Sequence, residues 1–274
     1  VSISMITRPH EFRRAISGAI VHDFFNLIAV LIFFPLELAT GFLSRSAVEA
    51  ASFFEGVGGA ELVNLMDLIV SPVAGAASAF FLEVLGVPRT VAGIILLALA
   101  VALLFGSLIV IARLMRRTIL KGLEAFFDKY LFRNAPAALL FGIILTMIVR
   151  SSSVATSLVV PLVGAGVLTV EQIFPYTLGA NVGTTFSALL AALVKAGQTV
   201  PGTTTPLGLT VAFAHLLFNI FGILVIYPFR FIPITVAKRF GDIASRKKSL
   251  AFLYIGIVFF VIPALVILIS ELLK

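Results

Sequence analysis

The chain holds 274 residues, 60% hydrophobic and 12% charged, with a mean hydropathy of +1.16. A soluble domain of this length cannot carry so apolar a composition, so the expected solvent is the bilayer. The formal charge of +7 does not point to nucleic acid, because the basic residues sit in short segments between apolar runs, as membrane topology demands. With no cysteine, the chain has no disulfide, no thiolate nucleophile and no Cys-based metal site.

In chain order, the first basic cluster is Arg8, Arg13 and Arg14. The apolar segment 19–35, AIVHDFFNLIAVLIFFP, follows and carries His22, Asp23 and Asn26 within about one turn. Residues 44–88 hold Glu49, Glu55, Glu61, Asp67 and Glu83 against little positive charge, which puts them on the outer side. Within them Phe53, Phe54, Leu62, Leu65, Met66 and Ile69 recur at mixed three- and four-residue spacing, the pattern of a short amphipathic helix in the interface or on the bundle. Val91–Ala112 is long enough to cross ~30 Å of hydrocarbon, which takes about 20 residues. A second basic cluster follows, Arg113, Arg116, Arg117, Lys121, Lys129 and Arg133. Two further spans, Leu207–Phe229 and Leu250–Leu268, enclose a third, Lys238, Arg239, Arg246, Lys247 and Lys248. All three clusters are expected to be cytoplasmic.

Residues 212–228, AFAHLLFNIFGILVIYP, repeat 19–35 at a constant offset of 193. The pairs Ala19/Ala212, His22/His215, Phe25/Phe218, Asn26/Asn219, Leu31/Leu224 and Pro35/Pro228 are identical. Chance likeness of two apolar segments does not put His, Asn and Pro in register. The basic clusters make the first copy run outward and the second inward, so the repeats are inverted, an arrangement typical of secondary transporters. At that offset, the stretch before the second copy maps to positions before Val1, and the expectation is a chain lacking the front of its first repeat. Residues 1–112 are then the remainder of the first repeat plus the outer connection, and 113–274 the second repeat, in one membrane domain.

Residues 136–195 depart most from an ordinary span. An apolar run of about a dozen residues stops at Arg150, Ser151, Ser152 and Ser153, continues through Thr156 and Ser157, and meets Pro161, Gly164 and Gly166. Irregular backbone at membrane depth needs protein or a water-filled cavity around it, so a re-entrant hairpin is expected over 136–167. An odd number of crossings between Arg133 and the outer loop near Lys195 agrees with a hairpin plus one span. That span holds Gly179, Ala180, Asn181, Val182, Gly183, Thr184 and Thr185 midway between apolar halves, and the helix is expected to unwind there. Broken helices aim N–H groups at anions and leave hydroxyls and carbonyls for Na⁺. The competing reading of these small residues is close helix packing.

Those two motifs resemble the type II sodium-dependent phosphate cotransporters, whose inverted repeats each carry a Gln-Ser-Ser-Ser hairpin and a following Gly-(Ala/Ser)-Asn-(Ile/Val)-Gly-Thr segment. Gly18–Asn26, GAIVHDFFN, resembles the family's segment after the first such motif. The resemblance implies an all-α, multi-pass protein of the cell membrane that moves inorganic phosphate with sodium as coupling ion and no other cofactor. Arg150, Ser151, Ser152 and Ser153 are its expected phosphate contacts, and Ser153, Thr156, Ser157, Asn181, Thr184 and Thr185 its expected sodium ligands. Gly179, Gly183, His22, Asn26, His215 and Asn219 are expected to support that site from neighbouring helices; with His10 the only other histidine, no metal besides sodium is expected. Arg150 stands where the family has Gln: it cannot ligate Na⁺ but can pair bidentately with phosphate.

The alternative reading is a membrane enzyme acting on lipid-linked phosphate, with a buried Ser as nucleophile. Glu171 is the acidic residue near enough in sequence to activate it, and it reads instead as a first-turn acid of a helix starting at Thr169. A channel ranks third, because the chain shows no ring of charges or repeated carbonyl filter.

Overall fold

Backbone groups in an apolar solvent must be satisfied within each segment. The described residues of this computed structural model, 8–54, 65–118, 131–194 and 205–272, accordingly build helices. Helix α1 (Pro9–Thr40) ends where Gly41 takes the left-handed conformation, φ 62°, and donates its N–H to the Glu37 carbonyl at 2.7 Å. The Glu37 carboxylate accepts from the N–H of Leu43 at 2.6 Å and from the N–H and hydroxyl of Ser44, which closes the turn into α2 (Phe42–Ser52). Helix α3 (Leu65–Ala79) runs into a π-turn, Phe80–Val84, and is followed by α4 (Arg89–Thr118). Then come α5 (Ala135–Val149), α6 (Ser152–Ala165), α7 (Val170–Val194), α8 (Leu207–Ile226) and α9 (Phe231–Arg246). The last stretch is α10 (Ser249–Gly256), a π-turn at Ile257–Val261, and α11 (Ile262–Leu272).

Pro9–Thr40, Leu207–Phe229 and Ser249–Leu268 are long and apolar enough to cross a membrane. Helices α5 and α6 are not: their 15 and 14 residues extend about 22 and 21 Å against ~30 Å of hydrocarbon. On the expected outer side, α2 packs against α8 through Ala47 and Ala51, and the Phe54 ring lies 5.3 Å from that of Phe213. Leu62, Lys121, Lys129, Lys195 and the side chains of Leu65, Met66 and Ile69 lie outside the described residues.

Helix α7 is continuous from Val170 to Val194, so the unwound segment expected at Gly179–Thr185 is not present. The reason is the approach of α5. A Cβ at Gly179 would lie 2.0 Å from the Leu139 carbonyl oxygen, one at Gly142 2.1 Å from that of Tyr176, and one at Gly183 2.6 Å from that of Ile143. Three glycines thus let two backbones touch; they serve packing rather than a helix break. Residue numbers rise together along both helices at these contacts, so α5 and α7 run parallel, while α6 returns between their ends. With Thr146 against Gly183, α5 has about one turn left and α7 about three, so the α5–α6 reversal stops short of the end of α7.

Helix α1 runs parallel to α7, with Gly18 against Ile173 and Val163, and antiparallel to α8. Gly222 on α8 meets Ala29 and Phe25 on α1, and Phe33 meets Phe218 with ring centroids 6.0 Å apart. Ala29 and Gly222 are themselves matched by the offset of 193, so the two similar segments cross at corresponding positions.

The α5–α7 contact predicts that Gly179→Ala lowers the detergent melting temperature, a loss on the order of 3 kcal/mol, because the methyl group meets backbone that cannot turn aside. Gly93→Ala, where nothing lies within 4 Å of the added carbon, leaves the melting temperature unchanged or raises it.

Candidate functional site

The α5–α6 reversal is built from two capping residues. Arg150 caps α5 in the left-handed conformation, φ 57° and ψ 24°, the one non-glycine with positive φ among the described residues, and donates its N–H to Thr146 O at 2.6 Å. Ser151 then caps α6, its hydroxyl accepting from Val154 N at 3.3 Å. The Arg150 side chain is exposed, and Ser151 and Ser152 are half-buried. Pro161 inside α6 has no N–H to offer the carbonyl of Ser157 four residues earlier.

Beyond the reversal, the face of α6 carrying Ser153, Thr156 and Ser157 lines a cavity of about 320 Å³ together with His22 and Asp23 of α1 and Tyr254 of α10. His22 Nε2 lies 3.0 Å from Asp23 Oδ1, and the Tyr254 hydroxyl donates to Asp23 Oδ2 at 3.4 Å. One turn along α1 from His22, Asn26 accepts from Asn181 Nδ2 of α7 at 2.8 Å, joining two helices through residues singled out in the sequence. The structure thus brings Ser153, Thr156 and Ser157 to one cavity, whereas Asn181 is not among its lining residues and reaches α1 at Asn26. The fold directs the hydroxyls of Thr184 and Thr185 to their own helix, donating to Ala180 O at 3.1 Å and Val182 O at 2.7 Å. Gly179 and Gly183 are buried against α5, Asn219 donates to His215 O at 3.2 Å, and His215 is exposed on α8.

Sequence reading left two residues out of the expected site. Asp23 was legible as an acid inside an apolar span, and Tyr254 as the one hydroxyl in the first turns of the expected span Leu250–Leu268. A second cavity, about 330 Å³, lies at the opposite end of α6, lined by Arg13, Arg14, Gly166, Thr169, Glu171 and Lys238. Its charges are largely paired: Arg13 with Asp242 at 2.9 Å, Lys238 with Glu171, and Arg14 Nε on the Gly164 carbonyl at 2.9 Å. The serine-lined cavity is therefore the candidate site.

The family model described as Na+/Pi-cotransporter matches residues 102–265, more than half of the chain. The chain belongs to this family. Among curated relatives, it is 30% identical to the sodium-dependent phosphate transport protein 2B of Bos taurus, over 92% of this chain and 48% of the relative. The 2B protein of Homo sapiens is 30% identical over 96% of this chain and 50% of its own length, and the 2A protein of Rattus norvegicus 30% over 95% and 50%. This cotransporter-family chain thus spans about half the length of the curated relatives it matches. No solved structure matches it.

The left-handed Arg150 predicts a measurable strain in this cotransporter-family hairpin. Arg150→Gly raises the melting temperature in detergent, by an effect of about 1 kcal/mol, whereas Arg150→Val lowers it. Equal melting temperatures for all three chains would show that the turn is not strained.

Proposed function

We propose that the whole protein is a sodium-coupled transporter of inorganic phosphate in the cell membrane, with its substrate and coupling ions held about the α5–α6 reversal. One observation carries this reading: Ser153, Thr156 and Ser157 of α6 and Asp23 of α1 line one cavity among apolar helices. Hard cations take oxygen ligands. A Na⁺ ion here would find three hydroxyls, the Ser157 carbonyl released by Pro161, and a carboxylate to balance its charge. Asn181, bonded to Asn26 one turn along α1 from His22, orients that set, and Thr184 and Thr185 support it from α7.

Phosphate belongs at the reversal. The guanidinium of Arg150 and the free N–H groups at the start of α6, around Ser151, Ser152 and Ser153, offer donors and positive charge to an anion. Two arms too short to cross, both reversing before α7 ends, support a re-entrant hairpin. The crossing of α1 and α8 at the matched positions Ala29 and Gly222 supports inverted repetition, the architecture in which substrate is held near the midplane. An enzyme working on lipid-linked phosphate is less well supported, because Glu171 is engaged by Lys238 at the far end of α6 from the serines.

Uptake of labelled phosphate into proteoliposomes tests the reading, with the full-length protein and an imposed Na⁺ gradient. Ser153→Ala removes a hydroxyl without adding bulk and is expected to cut uptake at least tenfold while membrane insertion is preserved. Uptake indifferent to the Na⁺ gradient refutes coupling, and wild-type kinetics in Ser153→Ala reduce the serine to packing.

Arg150 sets a sharper test, because it brings a fixed positive charge where relatives in the resembled family have Gln. If the guanidinium grips phosphate, Arg150→Gln raises the phosphate half-saturation with the Na⁺ dependence unchanged. If it stands in for a coupled cation, the same variant steepens the Na⁺ dependence. Paired measurement of the Na⁺ Hill slope and the phosphate half-saturation separates the two, and no change in either puts Arg150 outside the site.

A further inference from the structure

Helix α9 is held by one face and bare on the other. Pro233, Ile234, Ala237, Gly241 and Ala244 are buried. A Cβ at Gly241 would lie 2.8 Å from the Arg13 carbonyl oxygen of α1, so α9 is pressed onto α1. The opposite stripe is Arg239, Ile243, Arg246, Lys247 and Leu250, spaced as one helical face that continues across the short break into α10. With Asp242 at its edge, this stripe lines a shallow groove of about 500 Å³.

The chemistry of the groove is mixed in a specific way. Arg239, Arg246 and Lys247 are exposed and have no carboxylate partner among the described residues, since Asp242 is taken by Arg13 at 2.9 Å. Between them Ile243 is 52% exposed. The apolar stretch Ser249–Leu268, long enough to cross a membrane, begins directly after Lys247 and Lys248. The cations therefore lie where the chain enters the bilayer, at the depth of lipid headgroups.

We propose that this groove binds an anionic phospholipid of the adjoining leaflet, its phosphate among Arg239, Arg246 and Lys247 and its first acyl carbons on Ile243 and Leu250. A zwitterionic lipid brings an ammonium that the three cations repel. Free inorganic phosphate brings nothing for the isoleucine and leucine, and salt screens its attraction to so open a groove. The inference rests on the membrane-embedded part of the proposed function and not on transport.

Native mass spectrometry of the full chain, extracted from membranes in detergent, tests it with added phosphatidylglycerol or phosphatidylcholine. The wild type is expected to retain phosphatidylglycerol in preference to phosphatidylcholine. Each Arg239→Gln, Arg246→Gln or Lys247→Gln change weakens retention roughly fivefold, and the triple variant on the order of a hundredfold at low salt. Arg45→Gln, on α2 beyond the far end of α1, leaves retention unchanged, and an unaltered melting temperature of the triple variant excludes misfolding. Equal retention by the triple variant, equal retention of phosphatidylcholine, or displacement of the lipid by millimolar inorganic phosphate would each overturn the proposal. Recovery of the chain without detergent would overturn the membrane reading as well, whereas loss of lipid preference alone leaves it standing.

Discussion

The backbone contact between α5 and α7 is the constraint from which the rest of the bundle follows. In hydrocarbon, burying apolar surface does not draw helices together, so association depends on close van der Waals approach and on a few polar contacts. Gly142, Gly179 and Gly183 supply that approach, each removing a Cβ that would overlap a carbonyl of the facing helix. With α5 packed against these glycines, α7 stays helical from Val170 to Val194 through a glycine-rich sequence. The short α5 is then fixed in direction and depth, and the reversal at Arg150 and Ser151 falls beside the middle of the bundle.

From there α6 is held by its surroundings. The Tyr176 hydroxyl of α7, fully buried, donates to Ala155 O of α6 at 2.7 Å, and Gly18 of α1 meets Val163. Polar groups in the bundle divide into those that serve its own structure and those left for a ligand. Asn181 and Asn26 bond each other across α7 and α1, a link worth about 1 kcal/mol in such a setting. Thr185 and Ser187 donate to carbonyls of their own helix. Ser153, Thr156 and Ser157 instead line a cavity, together with Asp23, which His22 and Tyr254 also engage, and that makes the three hydroxyls the candidate ligands.

The basic end of the molecule is fastened differently. Arg13 with Asp242 and Lys238 with Glu171 are solvent-exposed ion pairs, and pairs of that kind contribute about 0–1 kcal/mol. Rigid backbone contacts therefore set the middle of the bundle, while weak charge contacts join α1, α7 and α9 at this end. The uncovered cations of α9 remain available to the membrane surface, where the proposed lipid groove lies.

Helical class, the apolar stretches and the break at Arg150 were legible in the residues alone, because each depends on local chemistry: hydropathy over about 20 positions, and serine capping after an apolar run. The likeness of 19–35 to 212–228 was legible too, but that α1 and α8 lie against each other came only from the structure. The state of Gly179–Thr185 was not legible, because a glycine pair reads equally as a break or as a packing face, and the choice rests on whether another backbone lies against it. Nor could the residues show which hydroxyls share a cavity. Helical periodicity puts Ser153, Thr156 and Ser157 on one face, but it took the return of α6 against α1 and the arrival of α10 to enclose that face with Asp23 and Tyr254, contacts between residues up to 231 positions apart in the chain. Local patterns specify segments; burial and the position of a partner helix decide what each segment's polar groups meet.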